Sequence, residues 1–156
     1  MLEIQPIDAP KQQEVKHEVS RYIRLASQQY HRRFADIDVV FNLRGKTAGI
    51  YRVYRDKGLF GKVKRQIRFN PWLFSKYAED SWRNTVPHEV AHYIADCRYG
   101  LANIKPHGVE WQQIMRDFDA VPKVRANYDL TGIPTRNIRR YDYACGCREV
   151  EFLDRP

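Results

Sequence analysis

The stretch Val86-Pro87-His88-Glu89-Val90-Ala91-His92-Tyr93-Ile94-Ala95 decides how the rest of the chain is read. From His88 to His92 it spells H-E-x-x-H, and on a helix residues four apart share one face, a turn from each other. Two neutral imidazoles so placed can reach one cation at roughly 2.0–2.1 Å, while a carboxylate at Glu89 stands close enough to polarise a metal-bound water without being a ligand. The pattern points to metal-assisted hydrolysis with zinc as the metal. A solvated helix face with two polar histidines is the bland alternative. Val86, Val90, Ala91, Tyr93, Ile94 and Ala95 oppose it, because they make the segment too apolar for the surface. Histidines buried there without partners would be costly.

An open zinc site takes three protein ligands and keeps one position for water, so a third ligand must come from outside this helix. His107 stands fifteen residues beyond His92, at the entrance to a further helix. That helix, over 108–118, is read from Val109, Trp111, Gln112, Ile114, Met115 and Phe118 at helical spacing. A return through the connection 101–106 brings the His107 imidazole back over the first pair. Glu110 is the rival ligand, since two histidines and a glutamate also hold zinc and it shares a helix face with His107 at i+3. In a three-histidine site it becomes instead the acceptor that orients a ligand. His17 and His31 lie among charges in the first helix and read as surface residues.

Upstream, Val15, Val19, Tyr22, Ile23, Ala26, Tyr30 and Phe34 keep a helical period over 11–34, with Arg21, Arg24, Arg32 and Arg33 largely outside the apolar face. Residues 37–43 read as a strand, Arg44-Gly45-Lys46 as a turn, 48–54 as a second strand, and 63–69 as a third by alternation. Asn70 is suited to cap, and Pro71 to open, a short helix over 71–77. Pro87 lacks an amide hydrogen, so the metal-bearing helix either starts near Thr85 or runs from Asp80 with a kink, and ends at Tyr99-Gly100. The expected fold class is α+β, with helices carrying the metal site beside a small, mainly antiparallel sheet.

The 156 residues suit one domain with a real core, here 1–143, followed by a tail at 144–156. Residues 1–16 lack the apolar run of a signal peptide and no stretch is long enough for a membrane span, so a cytoplasmic protein without membrane contact is expected. Cys97, Cys145 and Cys147 are too few and too unevenly placed for a disulfide framework. Cys97, on the metal-bearing helix, reads as a small packing residue. The net charge of +8 suggests a polyanionic partner, with nucleic acid the obvious one, though charge alone identifies no substrate.

Taken together, Asn70-Pro71, Val86-Pro87-His88-Glu89-Val90-Ala91-His92 and Pro106-His107-Gly108-Val109-Glu110-Trp111 resemble the SprT family of zinc metalloproteases, which includes the eukaryotic Spartan proteases. Lys46-Thr47-Ala48-Gly49 resembles the turn that precedes a strand in bacterial members. The resemblance spans about 39–118 and implies a minimal zincin-like fold, with His88, His92 and His107 as zinc ligands and Glu89 as general base. Tyr143-Ala144-Cys145-Gly146-Cys147 resembles the first half of the zinc ribbon that ends many bacterial relatives. No second cysteine pair follows before Pro156, and closing a structural zinc site needs four ligands, so a second metal is not expected.

Two functions follow as expectations. The leading one is a zinc-dependent metallopeptidase acting on a protein or peptide laid along a sheet edge as an added strand. The other is a nucleic-acid-binding module in which zinc is structural or the catalytic apparatus vestigial. Its basis is the basic, aromatic-interleaved run from Tyr51 to Phe69, with Arg52, Arg55, Lys57, Lys62, Lys64, Arg65 and Arg68, together with Arg136, Arg139, Arg140 and Tyr141. The two are compatible, since Spartan-type relatives act on proteins crosslinked to DNA and DNA is accordingly an implied partner.

Overall fold

The computed structural model describes residues 3–135, together with the backbone of the strands Arg140–Tyr143 and Val150–Leu153. Cys145, Cys147 and the side chains of Arg136, Arg139, Arg140 and Tyr141 lie outside the described residues, so the expected half-ribbon and second basic cluster do too.

Helix α1 (Ala9–Gln29) starts where the Asp8 carboxylate accepts from Lys11 N at 3.0 Å and Pro10 occupies the first turn, a cap and a proline in the positions that favour them. Val15, Val19, Tyr22, Ile23 and Ala26 form its buried stripe. It ends earlier than the apolar period suggests. His31 adopts a left-handed φ of 51°, which breaks the helix, and the chain turns back so that Phe34 N donates to Ser27 Oγ at 3.1 Å. Phe34 is therefore buried from a loop rather than from the helix.

Three strands follow: β1 (Asp38–Val40), β2 (Gly49–Arg55) and β3 (Val63–Phe69), in the order β1-β3-β2. β2 pairs antiparallel with β3 in the register Tyr51↔Ile67, and β1 pairs parallel with it in the register Val39↔Ile67. The sheet is thus mixed, with the longer pairing antiparallel. Side chains alternate across a strand and registered partners share a face, so Tyr51, Arg65, Ile67 and Phe69 lie on one side and Arg52, Tyr54, Lys64 and Arg68 on the other. The first side faces the helices, where Ile67 and Phe69 are fully buried.

Helix α2 (Pro71–Lys76) and the single turn α3 (Ala78–Asp80) lead into a π-helical turn, Ser81–Thr85, and then helix α4 (Val86–Tyr99). The chain stays helical ahead of Pro87, closer to the longer of the two expected forms. Val86 N reaches back to Ser81 O across the widened turn, and such a bulge absorbs the misfit of a proline ring that an α-helical turn would press against a carbonyl. Gly100, at φ 79°, ends α4. A short 3-10 turn (Leu101–Asn103) connects to α5 (Val109–Asp117), and β4 (Arg140–Tyr143) pairs with β5 (Val150–Leu153) as a separate hairpin. No helix among the described residues is long and apolar enough to cross a membrane.

Asn70 joins the sheet to the helices. Its Oδ1 accepts from Trp72 N and Leu73 N at 3.1 and 3.2 Å, its Nδ2 donates to Gly45 O at 2.9 Å, and it is fully buried. Asn70→Ala removes the cap and strands a buried carbonyl, so a loss of about 2 kcal/mol is expected in urea unfolding. An unchanged midpoint and slope would show that the junction carries no such weight.

Candidate active site

His88 and His92 point from one face of α4, and their ring centroids are 4.9 Å apart. Lys105-Pro106-His107-Gly108 forms a tight turn, closed by Gly108 N donating to Lys105 O at 3.1 Å, that delivers His107 just before α5. Its centroid lies 5.1 Å from that of His88 and 4.9 Å from that of His92. The Nε2 atom of His88 is 3.2 Å from the Nε2 atoms of both His92 and His107.

That spacing is what a metal asks for. Nitrogens bound at about 2.0–2.1 Å in a tetrahedral set stand about 3.3–3.4 Å apart. The three residues can hold a metal ion with their ligand atoms all within 4.8 Å of one another. Burial, with the neighbouring His107 adding to it, pushes the His92 imidazole down to about 3, so its lone pair stays available.

Trp111, fully buried on α5, fixes the arrangement from behind. Its indole lies nearly parallel to His92 at 5.6 Å, meets His107 edge-on at 4.6 Å, and donates from Nε1 to the His88 carbonyl at 3.2 Å. Gln112 Nε2 donates to the His107 carbonyl at 2.9 Å. Glu110 lies outside the histidine cluster and has no described hydrogen bond to it; its carboxylate folds back toward Gly108. It is not the orienting acceptor the sequence suggested. His17 and His31 are exposed and remote from the cluster.

Glu89 is 2% exposed, with Oε1 4.0 Å from His88 Nε2. It lies against the first residue of β2. A Cβ at Gly49 would fall 2.8 Å from Glu89 Cγ and 2.9 Å from Oε1, closer than real atoms come. Gly49 is therefore the space that the Glu89 side chain fills, a role the sequence did not mark, placing the residue only in a turn and at the start of the second strand.

One turn beyond His92, Asp96 ties the sheet to the same helix. Tyr51 Oη donates to its Oδ2 at 2.6 Å and Arg65 Nε at 3.0 Å, while Leu101 N donates to Oδ1 at 3.2 Å. Burial and this carboxylate push the Tyr51 hydroxyl upward. Arg65, placed by sequence in the basic run, is thus engaged with the helix side of the sheet. These contacts join residues 31 and 45 positions apart, and local periodicity carries no signal for them.

A cluster of three histidines, two buried on α4 and the third half-buried just ahead of α5, beside a small sheet and next to a buried carboxylate, fits a zincin-like site. The chain belongs to the SprT-like family, whose model matches residues 19–132, a family within the zinc metallopeptidase-like group. It is 39% identical over 123 residues to Protein SprT of Pseudomonas savastanoi pv. phaseolicola, covering 79% of this chain and 68% of that protein. It is 36% identical over 141 residues to Protein SprT of Pseudomonas putida, covering 90% and 78%, and 32% identical over 136 residues to that of Pasteurella multocida, covering 86% and 74%. No solved structure matches the chain significantly.

The geometry separates the two candidates for the third ligand. In chelator competition on zinc-loaded protein, His107→Ala is expected to release metal far faster than Glu110→Ala, which stays near the wild type. Faster loss from Glu110→Ala would contradict the cluster.

Proposed function

We propose that the protein is a zinc-dependent metallopeptidase. The observation that carries this reading is the 3.2 Å convergence of three imidazole nitrogens beside the buried Glu89 carboxylate. Zinc, held by His88, His92 and His107, supplies a Lewis acid that brings the pKa of water near 7 and polarises a carbonyl. Glu89 takes the proton of the attacking water and delivers it to the leaving amine. Gly49 leaves the room in which that carboxylate moves, and Trp111 closes the site against solvent from the helix side.

The substrate is a protein or peptide segment. β2 is an edge of the sheet and begins at Gly49, against Glu89, so a segment added alongside it as a strand passes beside the catalytic carboxylate. Main-chain pairing of this kind fixes the path of the substrate and leaves sequence preference to side-chain contacts.

DNA association is the second part of the reading, favoured by the sheet face turned away from the helices, which presents Arg52, Tyr54, Lys64 and Arg68. Arg52 lies over the Tyr54 ring at 4.6 Å, an arrangement of cations and aromatic faces suited to nucleic acid. The protease reading and a nucleic-acid module with a structural zinc or vestigial site part company at Glu89.

Glu89→Gln is expected to abolish hydrolysis while zinc content stays at the wild-type level, because the amide cannot act as a base and the imidazoles are untouched. Near-normal turnover on a peptide that the wild type cleaves would contradict the assignment of the base. Gly49→Ala is expected to lower kcat by roughly 100-fold with little change in KM or bound zinc, as a displacement of about 1 Å in a catalytic group does. Full kcat in that variant would mean that the carboxylate adjusts without loss.

A further inference from the structure

The β2–β3 hairpin ends in a turn for which the peptidase chemistry has no use. At its tip Leu59 and Phe60 are 93% and 88% exposed, more than any other large hydrophobic residue among those described. The turn is built rather than slack. Asp56 N donates to Lys62 O at 3.1 Å, Arg55 Nη1 to Gly61 O at 3.4 Å, and Lys64 pairs with Asp56 at 3.4 Å. A side chain at Gly61 would collide with the Asp56 carbonyl, and Gly58 takes a φ of 154°. Both glycines shape a turn that holds two large apolar side chains out in water.

The surroundings select the partner. From Arg52 to Arg68 the chain carries seven cations and a single acid, Asp56. Lys57 and Lys62 flank the tip, while Arg52, Lys64 and Arg68 continue along the outward face of the strands. This cationic track extends for roughly 20 Å from the tip at strand rise. A membrane engaged by Leu59 and Phe60 would leave the far end of the track, where Arg52 Nε donates to Gln66 and Arg68 Nε to Asn42 at 2.7 Å each, beyond a Debye length of about 8–10 Å from its surface. A flexible polyanion lying along the face meets all of it. An aromatic ring at the end of such a track finds a matching surface in an unstacked base, and duplex DNA keeps its base faces covered.

We propose that the β2–β3 hairpin is a single-stranded nucleic-acid site, with Phe60 the platform on which a base stacks and the outward cations following the phosphates. The proposal rests on the DNA association put forward above and adds the strand state and the residue that reads it.

The test is fluorescence anisotropy on the full, zinc-loaded chain with three probes: oligothymidylate, a duplex of equal length, and a single strand lacking bases. Phe60→Ala is expected to weaken oligothymidylate binding by about 5- to 150-fold, the effect of losing one base–aromatic stack. Duplex and baseless-strand affinities should change less than about twofold, and Phe60→Trp should restore binding and show quenched indole emission. The variant Lys57→Gln, Lys62→Gln, Lys64→Gln should flatten the salt dependence on single strands, by about 0.7 in slope for each phosphate that is no longer neutralised. Zinc content should stay unchanged in every variant. If oligothymidylate binds the wild type but Phe60→Ala costs nothing, or costs as much on the baseless strand, the tip site is overturned and the DNA reading stands. If none of the three probes binds at low salt, both fall. Loss of phosphatidylserine-vesicle binding in Phe60→Ala with oligothymidylate affinity intact assigns the tip to membranes and overturns the proposal.

Discussion

Three imidazole nitrogens brought to within hydrogen-bonding distance of a common centre impose the main constraint on this fold. Each neutral imidazole carries one N–H, and a nitrogen facing another lone pair is repelled unless a proton or a cation stands between them. Holding His88 Nε2 at 3.2 Å from two others therefore requires the supporting structure to fix two helices and the turn between them. Trp111 supplies much of that. Its ring touches all three histidines and its indole N–H ties α5 to the backbone of α4. The core around it is dense, with Val90, Ile94, Ile114 and Met115 fully buried, so the cluster cannot spread without opening packed apolar surface.

The sheet serves the same site from the other side. Asp96 binds Tyr51 of β2 and Arg65 of β3 one turn along from His92, and Gly49 at the start of β2 receives Glu89. One strand thus meets one helix at two places, at the carboxylate next to the metal ligands and at the carboxylate that anchors the sheet. The face of the sheet that remains outward bears the basic and aromatic residues. Helix-side chemistry and outward charge are separated by the period-two alternation of β2 and β3.

Much of this was legible in the sequence because it is local. The i, i+4 spacing of His88 and His92, the cap at Asn70 and the alternation of 63–69 each depend on neighbours within a few residues, and β3 spans Val63–Phe69 as expected. The α+β class and membership of the SprT-like family were readable from the same sequence. Less was visible where distant segments meet. The parallel pairing of β1 with β3 follows from chain order in space. The early end of α1 depends on one left-handed residue, His31, and Phe34 kept the apolar period by returning to the core from a loop. Gly49 and Trp111 stand inside the stretches that resemble the family but had no role of their own there; their roles appear only when Glu89 and the histidines are placed. Glu110 shows the opposite error, a residue with the right spacing whose side chain turns elsewhere.

Zinc K-edge X-ray absorption on the full, purified chain tests the three-histidine centre most directly. The expected result is one zinc per chain with a shell of nitrogen and oxygen scatterers at about 2.0–2.1 Å and the outer-shell pattern of three imidazoles. A shell dominated by sulfur near about 2.3 Å, or the outer-shell pattern of two imidazoles with a carboxylate, would contradict it.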